Sequence, residues 1–152
     1  MTVGRVLLVG SSGGHLAQLL VLSRLWRRED RHWVTFDTAD AISQLVAEDV
    51  TWAHHPTIRN LPNLARNTRL ARRVLEDQRP DVVVSNGAAV AFPFFLLARQ
   101  RRIPTVYVEV YDRMDSRSLT GRLCKPISDA FCVQWEEQRE LYNGSILVGP
   151  VL

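Results

Sequence analysis

Gly10-Ser11-Ser12-Gly13-Gly14-His15 is the stretch of this chain best equipped for chemistry. It follows the apolar run Val6-Leu7-Leu8-Val9, and Leu16, Leu19 and Leu20 begin a helical pattern directly behind it. Gly13 and Gly14 let the backbone approach a ligand closely. The helix start then aims unpaired N–H groups and a partial positive charge at the same point. That combination suits a phosphate or diphosphate. His15, at the mouth of the turn, is placed to touch a ligand or exchange a proton. The competing reading is a tight turn beside a packed or solvated imidazole. Neither familiar nucleotide loop is present, because the spacing is not G-x-G-x-x-G and no Gly-Lys-Ser/Thr follows.

The elements that must position this loop alternate along the chain. Strands are predicted at Arg5 to Val9, His32 to Asp37, Thr51 to His54, Asp81 to Ser85, Pro104 to Val110, Ala130 to Val133 and Ser145 to Val148. Helices are predicted at His15 to about Arg28, Ala39 to Ala47, Leu64 to Gln78, Ala89 to Arg101, Ser118 to about Pro126 and Trp135 to Tyr142. Arg59 to Asn63, with Pro62, reads as a loop. Alternation with continuous Val/Leu/Ile strands predicts a single α/β domain over residues 1–152, a Rossmann-like parallel sheet with helices on both faces. In such sheets ligands bind beyond the carboxyl ends of the strands. Three polar loops should gather there: Ser11 to His15, Ser85 to Ala88, and Glu109 to Arg117, which carries Asp112, Arg113 and Asp115.

On the Leu64 to Gln78 helix, Leu64, Ala71, Val74 and Leu75 form one side and Arg66, Arg69 and Arg73 the other. An arginine face of this kind can lie against anionic lipid headgroups, or it is simply solvated. Ala91 to Leu97 is apolar all round and is expected in the core. The net charge of +3, from 19 basic and 16 acidic residues, is too modest, with no interleaved aromatics, to favour a nucleic-acid partner. Cys124 and Cys132 are in no C-x-x-C pair and have no histidine nearby, so two buried free thiols are expected rather than a metal site or disulfide. No signal-peptide pattern and no apolar run of the roughly 20 residues needed to span a bilayer is present. The chain is expected to be soluble or attached to a membrane surface.

The chain also resembles one family along its length. The residues that carry the likeness are Gly10 to His15, Asp81-Val82-Val83-Val84-Ser85-Asn86-Gly87-Ala88, Ile103-Pro104-Thr105-Val106-Tyr107-Val108-Glu109, Ser118-Leu119-Thr120-Gly121-Arg122, Val133-Gln134-Trp135-Glu136 and Val148-Gly149-Pro150. They are similar to the acceptor-side subunit of split GT-B glycosyltransferases. Its members include bacterial PssD- and CpsF-type polysaccharide proteins and the membrane-anchoring subunit of the dolichyl-diphosphate N-acetylglucosamine transferase. The N-terminal half of the lipid I N-acetylglucosaminyltransferase is a more distant relative. The resemblance implies the N-terminal half of a GT-B enzyme, lacking the eukaryotic transmembrane anchor and peripheral at the cytoplasmic face of the plasma membrane. It implies an inverting transfer in exopolysaccharide, capsule or lipid-linked oligosaccharide synthesis. This chain would bind the lipid-diphosphate-linked acceptor, and a separate catalytic subunit would bind the UDP-sugar, with no cofactor or metal.

By matching position, Ser11, Ser12, Gly13 and Gly14 would face the acceptor diphosphate, with Asn86 and Gly87 as a second loop. Arg113 is grouped with these anion-binding residues. His15 and Glu109 match acid/base positions, and either can be the base that inversion requires. Gly149, Pro150, Val151 and Leu152, directly after a strand, read as the partner interface. Two other classes stay open: a dinucleotide-binding module using Asp37 as its ribose acid, and a non-catalytic interaction protein.

Overall fold

The computed structural model describes residues 4–151, so Leu152, expected at the partner interface, lies outside the described residues. Seven strands form one sheet: β1 (Val6–Val9), β2 (Arg31–Thr35), β3 (Val50–Trp52), β4 (Val82–Ser85), β5 (Thr105–Val108), β6 (Ala130–Val133) and β7 (Ile146–Leu147). Every pairing is parallel, and the spatial order is β3-β2-β1-β4-β5-β6-β7. Six α-helices connect them: α1 (Gly14–Ser23), α2 (Ala39–Gln44), α3 (Leu61–Gln78), α4 (Ala91–Gln100), α5 (Leu119–Cys124) and α6 (Glu136–Leu141). The chain runs outward from β1 to β3, then returns to the other side of β1 with β4. The strand order therefore reverses between β1 and β4, the point beyond whose carboxyl ends ligands bind in open parallel sheets.

Alternate side chains of the central strands face opposite sides of the sheet. Val6 and Leu8 pack with Leu16 and Leu19 of α1, Trp33, Ala41 and Leu45. Leu7 and Val9 pack with Leu70, Ala71, Val74 and Leu75 of α3, and with Phe94 and Phe95 of α4. Strands covered on both faces must be apolar throughout, and that requirement produces the unbroken runs Val6–Val9 and Val82–Val84. Cys124 and Cys132 are free and buried, and burial followed by the nearby charge of Glu109 pushes the Cys124 thiol up to about 12.

Several boundaries differ from the expected ones. Helix α3 begins at Leu61 rather than Leu64, because the Asn60 side chain accepts the Asn63 N–H at 2.9 Å and Pro62 sits in the first turn. The inner side of α3 also differs: Leu64 is exposed, and Asn63 and Asn67 are buried in its stead. Asn67 accepts the His54 N–H at 2.8 Å and donates to the His54 carbonyl at 2.9 Å, replacing a strand partner for the segment after β3. Helix α1 stops at Ser23, where the chain tightens through Leu25 N–H to Leu22 O and Trp26 N–H to Ser23 O bonds. Among the described residues no helix is long and apolar enough to cross a membrane.

Candidate functional site

The register between β1 and β4 sets Val9 beside Ser85, so the turns that follow, from Gly10 and from Asn86, leave the sheet side by side. Two hydrogen bonds join them. Asn86 Nδ2 donates to the His15 carbonyl at 2.6 Å, and His15 Nδ1 lies 3.1 Å from the Asn86 carbonyl. A carbonyl oxygen can only accept, so Nδ1 carries the ring proton. In the neutral imidazole Nε2 is then left with a free lone pair. Asn86 is fully buried, and its Oδ1 is a buried acceptor with no protein partner. Gly87 has φ +116°, and a Cβ there would stand 2.8 Å from the Tyr107 hydroxyl and 3.3 Å from His15 Cε1. Only glycine allows this close approach.

Gly13 and Gly14 are exposed at the start of α1, with open space where a Cβ would stand. The first amides of the helix point outward with no intrahelical acceptor. One of the loop amides is already engaged: Gly13 N–H donates to Asp40 Oδ2 of α2 at 2.9 Å. The neighbouring Thr38 hydroxyl, followed by the Gly13 amide, holds the Asp40 carboxyl below the usual carboxylate range. Ser11 and Ser12 are half-buried on the same turn.

Glu109 is placed differently from the acid/base position expected of it. Its side chain is fully buried. Its oxygens accept from the Val110 N–H at 3.1 Å, from Ser118 Oγ at 3.0 and 3.3 Å, and from the Tyr142 hydroxyl. These donors enclose the carboxylate. The group instead pins α5 and Tyr142 to the end of β5. Burial, then the hydrogen bond to Glu109, raises the Tyr142 hydroxyl above its ordinary value, and burial followed by the charge of Glu109 does so for Tyr107.

A buried amide chain links the remaining parts. Gln134 Nε2, after β6, donates to Gln18 Oε1 of α1 at 2.7 Å and to the Glu109 carbonyl at 2.9 Å. Gln134 Oε1 accepts the Val151 N–H at 2.8 Å. Gln134 N–H donates to Gln138 Oε1 at 2.8 Å, and Gln138 Nε2 donates to the Val110 carbonyl at 2.6 Å. The three expected loops thus meet at one sheet edge, two through His15–Asn86 and the third through Gln134. The segment Gly149-Pro150-Val151 is held against the same edge by its last amide.

Other expected residues stand apart. The Arg113 side chain is exposed in the 111–117 segment, with no hydrogen bond to the glycine turn among the described residues. Arg66, Arg69 and Arg73 are exposed on α3, across the sheet from α1. Asp37, the ribose acid of the dinucleotide reading, bonds His55 Nε2 at 2.8 Å. Asp40, Gln18, Gln134 and Gln138 were not singled out as site residues from sequence. Gln18 alone left a local signal, a polar residue inside the apolar arc of Leu16 and Leu19. Replacing Gln134 by Leu leaves the Gln18 Oε1, Glu109 carbonyl and Val151 N–H groups unpaired, and should cost about 2–3 kcal/mol in urea unfolding. A loss under 0.5 kcal/mol, roughly a neutral surface change, would show that the chain carries no stability.

The chain is similar to several known proteins. The model of the family described as "Oligosaccharide biosynthesis protein Alg14 like" matches residues 57–151. The mouse UDP-N-acetylglucosamine transferase subunit ALG14 is 24% identical over 97% of this chain and 83% of its own length. The UDP-N-acetylglucosamine--N-acetylmuramyl-(pentapeptide) pyrophosphoryl-undecaprenol N-acetylglucosamine transferase of Syntrophotalea carbinolica is 27% identical over 88% of this chain and 41% of the enzyme. Among solved structures, Acinetobacter baumannii MurG superposes with a TM-score of 0.76 at 16% identity, over 98% of this chain and 46% of that one. The chain spans less than half the length of these last two proteins and shares the fold of that part of MurG. On the match over residues 57–151, the chain belongs to the Alg14-like family of oligosaccharide biosynthesis proteins.

Proposed function

We propose that this protein is the acceptor-binding subunit of a two-component inverting glycosyltransferase. It works with a separate polypeptide that binds a UDP-sugar, for which the names of the relatives favour UDP-N-acetylglucosamine. The acceptor is a saccharide on a lipid diphosphate, of the lipid-linked oligosaccharide or bacterial polysaccharide type. The observation that carries this reading is the clasp at the strand-order reversal. An exposed glycine turn at a helix start lies beside an imidazole whose tautomer is fixed.

The chemistry follows from that geometry. The acceptor diphosphate lies against the amides of Ser12 to His15 at the start of α1, where the helix favours negative charge. Asn86 and Gly87 form the second wall. The acceptor hydroxyl attacks the anomeric carbon of the donor sugar from the face opposite the leaving nucleotide. As the new C–O bond forms and the bond to the diphosphate breaks, the hydroxyl proton passes to His15 Nε2. The Asn86 carbonyl holds the opposite N–H and so steadies the imidazolium that results. Glu109 acts on the reaction as a positioning residue through Ser118 and Tyr142. The exposed Arg66, Arg69 and Arg73 face, with Leu61 and Ile58 exposed at its head, rests on the membrane that holds the acceptor. The Gly149 to Leu152 segment meets the partner.

In the reconstituted complex, His15→Ala should lower kcat by about 10² to 10⁴ while co-purification with the partner is retained. Wild-type turnover by that variant, or full turnover by this chain alone, contradicts the reading. A second expectation concerns Asp40. Its charge competes for the Gly13 amide at neutral pH, and because its carboxyl titrates low, the contact is lost only as pH falls through that lowered value. Asp40→Asn should therefore tighten inorganic pyrophosphate binding several-fold at pH 7, with the advantage shrinking as pH falls through the range where Asp40 protonates. Equal affinity of both forms at pH 7 would remove Asp40 from the site.

A further inference from the structure

A second hollow, of about 290 Å³, is lined by Arg117, Arg122, Lys125, Pro126 and Tyr142. Three of these residues are cationic and none is acidic. Among the described residues none of the three cations belongs to an ion pair. Elsewhere Arg31 reaches Glu48, and Arg72 and Arg101 share Glu76, while Arg66, Arg69 and Arg73 are in no ion pair among the described residues; what sets Arg117, Arg122 and Lys125 apart is that they line one hollow. Like charges around one small concavity repel one another, and the concave wall focuses their field on whatever enters. An anion relieves that repulsion.

The lining also defines the anion. Two planar guanidinium forks and an ammonium suit the oxygens of a phosphate group better than a single carboxylate. The volume lies just below the usual range for small-molecule pockets, so it holds a phosphate with a small substituent rather than a whole nucleotide-sugar. The Tyr142 wall reaches toward the site described above: its hydroxyl accepts the Ser118 N–H at 3.0 Å and donates to Glu109. Arg117 directly precedes Ser118 and closes the exposed 111–117 segment.

We propose that the hollow between Arg117, Arg122 and Lys125 is a binding site for a phosphate-bearing anion, separate from the glycine turn. The phosphate has two physical sources. One is a small soluble phosphate compound. The other is the headgroup of an anionic lipid, since Leu119 and Leu123 on the same helix are 70% and 44% exposed.

The test compares the whole chain with Arg117→Gln/Arg122→Gln/Lys125→Gln. A charge-matched control, Arg24→Gln/Arg99→Gln/Arg102→Gln, loses three charges elsewhere. Inorganic phosphate is titrated at constant ionic strength and read as a thermal shift. Co-sedimentation is measured with phosphatidylcholine vesicles, with and without phosphatidylglycerol. Each pocket cation should contribute about tenfold to the apparent Kd. Phosphate binding weakened by about tenfold or more in the pocket variant and unchanged in the control supports the site with a soluble ligand. Retention on phosphatidylglycerol vesicles alone, lost in the pocket variant and kept in the control, supports it with a lipid headgroup. Equal behaviour of the pocket variant and the control in both arms overturns it. If the pocket variant fails to fold, the exposed single change Arg122→Gln decides the matter by the same comparison, with about a tenfold loss expected.

Discussion

Two hydrogen bonds between His15 and Asn86 lock together the turns that leave β1 and β4. They exist because β1 and β4 are parallel neighbours in a register that releases Gly10 and Asn86 at the same height. Sequence separation of 71 residues is thereby reduced to a single clasp. The clasp makes strict demands on its surroundings. Gly10 lacks a Cβ that would otherwise stand 2.9 Å from Asn86 Oδ1, and Gly87 adopts a backbone conformation that side chains resist. In return it fixes which nitrogen of His15 is free. An imidazole nitrogen of fixed orientation then lies beside a helix start that favours anions.

The carboxylate and the imidazole divide their duties by environment. Glu109 is enclosed, with hydroxyl and amide donors around it and no salt bridge among the described residues, and it ties Ser118 and Tyr142 to the end of β5. His15 is only half-buried, beside the exposed glycine turn, the setting that the proposed proton transfer requires. The glutamine chain joins these halves. Each of its amides has an assigned donor and acceptor role, so Gln134 orients α1, the end of β5 and the Val151 backbone together. The segment proposed to meet a partner is in this way tied to the helix proposed to meet the acceptor.

Much of this was legible in the order of residues. The parallel α/β class followed from apolar strands alternating with helical patterns, and the apolar run Ala91 to Leu97, expected in the core, is buried at Phe94 and Phe95 and exposed at Leu96. The three polar loops were placed correctly at one edge because parallel topology leaves them no other location. What failed was local or long-range in character. Pro62 read as a loop breaker, although Asn60 as a cap makes it a first-turn proline. Leu64 read as core, although buried asparagines were needed to pair the segment after β3. The burial of Glu109 and the Asp40 contact with Gly13 arise from chain crossings, over 33 and 27 residues, that no window of sequence displays.

The central claim is that the backbone at the start of α1 receives a diphosphate. Titration of the isotope-labelled chain with a soluble, short-chain lipid-diphosphate saccharide, followed by amide NMR, addresses it directly. The account predicts saturable shifts concentrated at Ser12 to His15 and at Asn86 and Gly87. Saturable binding that leaves those amides unmoved and shifts residues elsewhere would contradict it.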